Sequence, residues 1–153
     1  MSQTLKISAL APSDDATLEA AAAMLAAAFD DPGRYDIERI RAEMRPTEPP
    51  FYRRFFIAWQ DGEVVGAGGI KAADWASDTH VLYLSAVAEH ARGRGIARAL
   101  VQARIDCLRA HHGSGVLLVS TRHRKRFAQL GFKPFGETEE YGRTLMMLAL
   151  GKD

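Results

Sequence analysis

The sequence predicts an α/β (α+β) chain, a mixed and mainly antiparallel sheet of about seven strands flanked by about four helices. Three observations carry that prediction. Strand-like and helix-like segments follow one another in the order β-α-α-β-β-β-α-β-α-β-β. An Asp-Gly pair, Asp61-Gly62, joins two adjacent strand-like segments and favours an antiparallel hairpin. A strand, a glycine turn, an amphipathic helix and a second short apolar strand follow in the middle of the chain, which suits one parallel crossover at the centre of the sheet.

Each element has its own reason. Gln3 to Leu10 alternates weakly and forms the first strand. Pro12-Ser13-Asp14-Asp15 is a turn able to cap a helix over Thr17 to Phe29, where Leu18, Ala21, Leu25 and Phe29 share one side. Asp30 to Gly33 breaks it. Asp36 to Met44 is a more charged helix with Ile37, Ile40 and Met44 on its apolar side. Pro46, Pro49 and Pro50 stiffen the next connection. Phe51 to Trp59 and Val64 to Ile70 flank the Asp-Gly turn. Glycines at 66, 68 and 69 in the second of these strands mark either a bulge or a place of close approach. His80 to Val87 is rich in Val, Leu and Tyr. Ile96 to about Leu108 carries Ile96, Leu100, Val101, Ile105 and Leu108 at helical spacing. Gly113-Ser114-Gly115 ends that helix, and Val116 to Val119 is a short buried strand. Ser120-Thr121 can cap a helix from Arg122 to Leu130, closed by Gly131. Phe132 to Glu137 and Arg143 to Leu150 close the sheet around Thr138 to Gly142.

With 153 residues, 47% hydrophobic and 25% charged, the chain suits a single domain over 1–153 with a substantial core. A net charge of +1 argues against a nucleic-acid partner. The one cysteine, Cys107, lies within a helical pattern and suits a structural thiol in a reducing compartment. No N-terminal leader is evident. The most apolar run, Leu18 to Phe29, is shorter than the roughly 20 residues that a bilayer requires. The expected location is the cytoplasm, with no membrane partner. No cluster has metal-ligand spacing, so no metal site is expected.

The stretch from His80 to Leu108 carries the chemistry. A strand runs into a two-glycine turn and then into a helix. The first turn of a helix has amides without partners inside it and a positive dipole end. Gly93 and Gly95 leave those amides accessible, and Arg92, Arg94 and Arg98 add charge. On the residues alone this is either a plain chain reversal or an anion cradle, and each arginine is either a contact or a solvated surface charge. The spacing sharpens the second reading. Arg92-Gly93-Arg94-Gly95-Ile96-Ala97 has the form R-x-x-G-x-A, after a strand and before a helix. It lacks both the G-x-G-x-x-G of a dinucleotide fold and the G-K-[ST] of a P-loop. It resembles the acetyl-coenzyme A signature of the GNAT N-acetyltransferase superfamily. Phe127-Ala128-Gln129-Leu130-Gly131-Phe132 is similar to the superfamily's late F/Y-x-x-x-G-F segment, and the element order agrees with that fold over almost the whole chain.

The resemblance implies acetyl-coenzyme A as cofactor and direct acetyl transfer to the primary amine of a small molecule or amino acid. It implies that Ser85, Ala86 and Val87 offer free backbone groups to the pantetheine arm, and that Arg92, Gly93, Arg94, Gly95, Ile96, Ala97 and Arg98 surround the pyrophosphate, with Phe127 nearby. An amide near Ser85 or Ala86 would polarise the acetyl carbonyl. Many members place a tyrosine at the position of Phe127 to protonate the departing thiolate. Phe127 has no such proton, which leaves Tyr83, Ser85, His123 and Tyr141 as substitutes or an unassisted departure. His80, Tyr83, Asp74, Asp78 and Glu89 are candidates for the base, and His80 is equally an ordinary strand-start histidine.

Ser120-Thr121-Arg122 with the late motif is locally similar to bacterial N-acetylglutamate synthases, a pointer to amino-acid substrates. The cluster from Arg122 to Arg126 reads first as a solvated helix face, then as a partner of the cofactor's 3′-phosphate, and last as a nucleic-acid patch. Two other functions stay open: a non-catalytic acetyl-coenzyme A sensor, and a protein or peptide N-terminal acetyltransferase. Members of the superfamily are often homodimers, so a dimer is a further expectation.

Overall fold

Asp61 and Gly62 both adopt positive φ, 53° and 84°, the twist that joins two antiparallel strands tightly. They connect β2 (Arg53–Gln60) to β3 (Glu63–Ala72). The computed structural model containing this hairpin describes residues 4–140 and 142–151. Around it are β1 (Leu5–Ala9), α1 (Asp15–Phe29), α2 (Ile37–Met44), β4 (Thr79–Val87), α3 (Ile96–His111), β5 (Val116–Thr121), α4 (Arg124–Gln129), β6 (Lys133–Glu140) and β7 (Arg143–Ala149). The sheet has seven strands in the order β1-β2-β3-β4-β5-β7-β6. Among the described residues, only β4 and β5 run parallel. Element order and the central crossover are as the sequence predicts, and the ends differ by a few residues.

Caps explain several of those differences. Asp14 accepts from the Thr17 amide at 3.1 Å, so α1 begins two residues earlier than its apolar pattern. Thr121 does not cap α4. Its hydroxyl accepts from the His123 amide at 2.9 Å, which ties down the loop before the helix and delays the helix to Arg124. β6 runs on to Glu140, so Thr138 to Glu140 belong to the strand rather than to the connection that the sequence suggests.

Each face of the sheet is covered. α1 and α2 bury Leu18, Leu25, Ile40 and Met44 against Phe55 and Ile57. On the other face α3 buries Ile96, Leu100, Ile105 and Leu108 against Phe56, Ile70, Leu82 and Leu117, with Phe127 of α4 beside them. Deleting one such leucine side chain would cost about 2–5 kcal/mol.

The glycines of β3 resolve both alternatives left open by the sequence. A Cβ at Gly66 would lie 3.0 Å from Leu100, so α3 packs directly on the strand there. At Gly69 it would lie 2.7 Å from the ring of Phe55. Between Ala67 and Gly69 the register with β4 shifts, which is a bulge.

Candidate active site

β4 and β5 pair only over Thr79–Val81 and Val116–Leu118. Beyond that seam the strands diverge, β4 to Val87 and β5 to Thr121. A cavity of about 620 Å³ occupies the opening. Its size is that of a small-molecule site.

The bulge shapes one wall. Ala67 pairs with Ala86 and Gly69 with Tyr83, so Leu84 and Ser85 together face the single residue Gly68. Leu84 takes φ 48°, a conformation uncommon for leucine. Such a bulge interrupts the ladder and re-aims its residues, a frequent device beside active sites. Here it turns Ser85 towards α3, and a Cβ on Gly68 would meet Ser85 Oγ at 2.6 Å.

The glycine turn forms the mouth. Gly93 and Gly95 both have φ 80°, and Gly95 is the N-cap of α3 with no side-chain capping bond. A Cβ added at either glycine would meet nothing within 4 Å. The uncapped helix start therefore opens onto free space at the cavity, with Gly93, Gly95, Ile96 and Ala97 in its lining. Arg92 also lines it and donates from Nε to the Val87 carbonyl at 3.1 Å. Arg98 lines it as well, 3.5 Å from Gln129 Oε1. Arg94 does not: its guanidinium reaches outward to Gln60 Oε1 at 2.6 Å and the His90 carbonyl at 3.2 Å.

The opposite wall comes from β5, α4 and β7. It supplies Thr121, Arg122, His123, Arg126, Phe127 and Arg143. Among the described residues lining the cavity, six are arginines and none is Asp or Glu. Such a lining, with an uncapped helix start at its edge, fits a ligand carrying several phosphates.

The protic groups differ in character. The His123 imidazole is held below its usual range by burial and by Arg126, Arg143 and Arg122, so at neutral pH it is uncharged and able to take a proton. The Tyr83 phenol is pushed well above its ordinary range by burial and by Glu43. It donates to the Glu43 carbonyl at 3.3 Å, and Lys71 Nζ lies 4.4 Å from its ring centroid. It therefore stays a neutral phenol. Phe127 packs edge-to-face on Phe132 at 5.2 Å.

Most residues singled out in the sequence converge here. Tyr83, Ser85, Ala86, Val87, Arg92, Gly93, Gly95, Ile96, Ala97, Arg98, His123 and Phe127 line one cavity. His80 does not line it. It is buried at the seam, where its Nδ1 shares a hydrogen bond of 2.5 Å with the Tyr52 hydroxyl. Tyr141 lies outside the described residues. Sequence reasoning missed Phe29, Tyr35, Arg104 and Arg143 in the lining. Arg104 had left a sign, a charged residue in the apolar stripe of α3 between Leu100 and Leu108.

A seven-stranded mixed sheet parted between its two parallel strands, with a glycine-led helix start and a cationic cavity at the parting, defines the GNAT type of acyltransferase fold. Residues 18–132 match the Acetyltransferase (GNAT) family, and the chain belongs to it. The N-acetylaspartate synthetase of Danio rerio is 37% identical over 93 residues, 57% of this chain and 32% of that protein. The chain thus spans about a third of the length of the N-acetylaspartate synthetases it matches. In fold it is similar to Escherichia coli ElaA, with a TM-score of 0.76 and 19% identity over 94% of this chain and 98% of that one. The PaiA N-acetyltransferase of Thermoplasma acidophilum, solved in complex with coenzyme A, has a TM-score of 0.71 and 13% identity over 95% and 99%.

Proposed function

We propose that this chain is an acetyl-coenzyme A-dependent N-acetyltransferase acting on the primary amine of a small molecule, with an amino acid as the acceptor class. The observation that carries this is the parted β4–β5 pair with the uncapped start of α3 at its mouth. The kinship with N-acetylaspartate synthetases supports an amino-acid acceptor. The single unpaired Cys107 is consistent with a reducing compartment, and we place the reaction in the cytoplasm.

Acetyl-coenzyme A, when bound, supplies an acetyl group already activated as a thioester. The chain's own groups do the rest. The amides from Gly93 to Ala97 would hold the diphosphate, with Arg92 and Arg98 beside them. Backbone groups of Ser85 to Val87, left without a β5 partner, hold an extended amide chain as an added strand would be held. A backbone N–H freed from the ladder by the bulge at Leu84 and Ser85 would polarise the acetyl carbonyl. Neutral His123 accepts the amine proton, directly or through one water. Phe127 offers no proton, so this position would give a departing thiolate no general acid.

Phe127 also favours a second reading, a non-catalytic module that binds the same cofactor. An amine panel assayed for free thiol separates the two. Thiol release with amino acids supports the proposal, and binding of acetyl-coenzyme A with no release on any amine supports the sensor. Release only with peptide N-termini would make the acceptor a polypeptide.

A further inference from the structure

We propose that Arg104 and Ser85 form a carboxylate-binding subsite in the floor of the cleft, a reading that rests on the cleft being the acyl-transfer site. The stripe of α3 that faces the sheet reads Ile96, Leu100, Arg104, Leu108, so a guanidinium stands where the helix is otherwise apolar. Arg104 is 1% exposed. Its Nε donates to the Leu100 carbonyl and its Nη1 to the Gly69 carbonyl, both at 3.0 Å. Both acceptors are neutral, and they fix the plane of the fork. Its Nη2 has no hydrogen-bond partner among the described residues, although the side chain lines the cavity.

No described carboxylate pairs with this cation. Burial alone lowers its ionisation, to about 9, so it keeps its charge at neutral pH. A buried, uncompensated cation is costly to a fold and calls for an anionic partner. The cavity that both Arg104 and Ser85 line is where one could enter, and the two side chains close on Gly68 together. A Cβ on Gly68 would sit 2.6 Å from both Arg104 Cζ and Ser85 Oγ, so guanidinium and hydroxyl flank the same point. Ser85 is itself exposed to the cleft. A fork with one nitrogen free, beside a hydroxyl donor, matches the two oxygens of a carboxylate.

The phosphates are not that anion. Arg104 lies eight residues along α3 from Ile96, about 12 Å from the helix start that holds them. The subsite therefore belongs to the reacting end of the cleft. A carboxylate there has two sources: the amino-acid acceptor, or the far end of a dicarboxylic acyl group on the thioester.

Calorimetric titration of the intact protein distinguishes them without turnover. One arm compares succinyl-coenzyme A with butyryl-coenzyme A. The other, at saturating coenzyme A, compares L-aspartate with L-asparaginamide. We expect the carboxylate-bearing ligand to bind at least tenfold tighter in one arm, which names its source. Arg104→Met should abolish the preference, Arg104→Lys should keep part of it, and Ser85→Ala should reduce it severalfold. Thermal unfolding reports whether each variant is folded, and Ser85→Ala, at a partly open position, serves if Arg104→Met is not. No preference in either arm, or one that survives both Arg104→Met and Ser85→Ala, overturns the subsite. Failure of coenzyme A itself to bind the native protein overturns the acyl-transfer reading instead.

Discussion

Replacing Gly95 separates the energy of the fold from the energy of binding. Its φ of 80° lies in the region that costs an L-residue about 1–2 kcal/mol. A Cβ at 95 meets nothing within 4 Å, so no clash adds to that. For a domain of this size the melting temperature should fall by about 2–8 °C in Gly95→Ala, and somewhat further in Gly95→Val. Binding should suffer far more, because the new side chain enters the space through which an anion reaches the amides of Ile96 and Ala97. Each charge-assisted hydrogen bond contributes about 1.5–3 kcal/mol, so losing two weakens coenzyme A by at least about 100-fold. Gly62 provides a control, since its φ of 84° and its open surroundings match those of Gly95 while it sits in the β2–β3 turn away from the cavity. Gly62→Ala should lose similar stability and no affinity. The assay is calorimetric titration with coenzyme A alongside thermal unfolding. Affinity within threefold of native in Gly95→Val, with the expected loss of stability, would refute the placement of the diphosphate at this turn.

Three further outcomes follow from the geometry. Gly68→Val places atoms 2.6 Å from Arg104 and Ser85 and should cost about 1–3 kcal/mol by overpacking, read as a lower urea midpoint with an unchanged slope. His80 is held below its ordinary value of 6.5 chiefly by burial, then by His112, with Asp78 opposing. As pH falls through 6.5 the unfolded chain binds the proton first, so stability is level above that value and declines below it until the folded histidine is protonated too. His123 is shifted the same way and adds to the slope. His80→Gln should flatten the fall in melting temperature between pH 7.5 and about pH 5; an unchanged slope would remove His80 as its source. His123→Asn should lower kcat about 10²-fold or more and abolish an acid limb lying below pH 6.5, while the KM for acetyl-coenzyme A stays put. A retained limb would assign the base elsewhere.

What the sequence disclosed was what depends on neighbouring residues. The R-x-x-G-x-A turn, the Asp61-Gly62 hairpin and the helical stripes are local patterns, and they appear where expected. What it hid depends on residues far apart in the chain. Whether Arg94 faces the cleft or Gln60 is decided by a strand 34 residues away. His80 looked available at a strand start, but Tyr52, 28 residues earlier, claims its Nδ1. Gly66, Gly68 and Gly69 announce a bulge as one of two alternatives, but nothing in β4 marks Leu84 as the residue that takes it. Its cause lies across the ladder, where Gly68 allows one residue to face two. Arg104 was visible as a charge on an apolar stripe, yet its meaning required knowing that Gly69 and Ser85 lie beneath it.

The three-pair seam between β4 and β5 also makes the molecule two strand groups stitched at one end, β1 to β4 and β5 with β7 and β6. A ligand lying along the open length would supply cross-links that the ladder omits, so occupancy and folding stability share one free energy. At a hundredfold excess over the dissociation constant that linkage adds about 2.7 kcal/mol. When the ligand pool runs low, those amide hydrogens along Leu82 to Val87 and Val119 to Thr121 that face the opening rather than β3 or β7 should exchange faster than in the occupied protein.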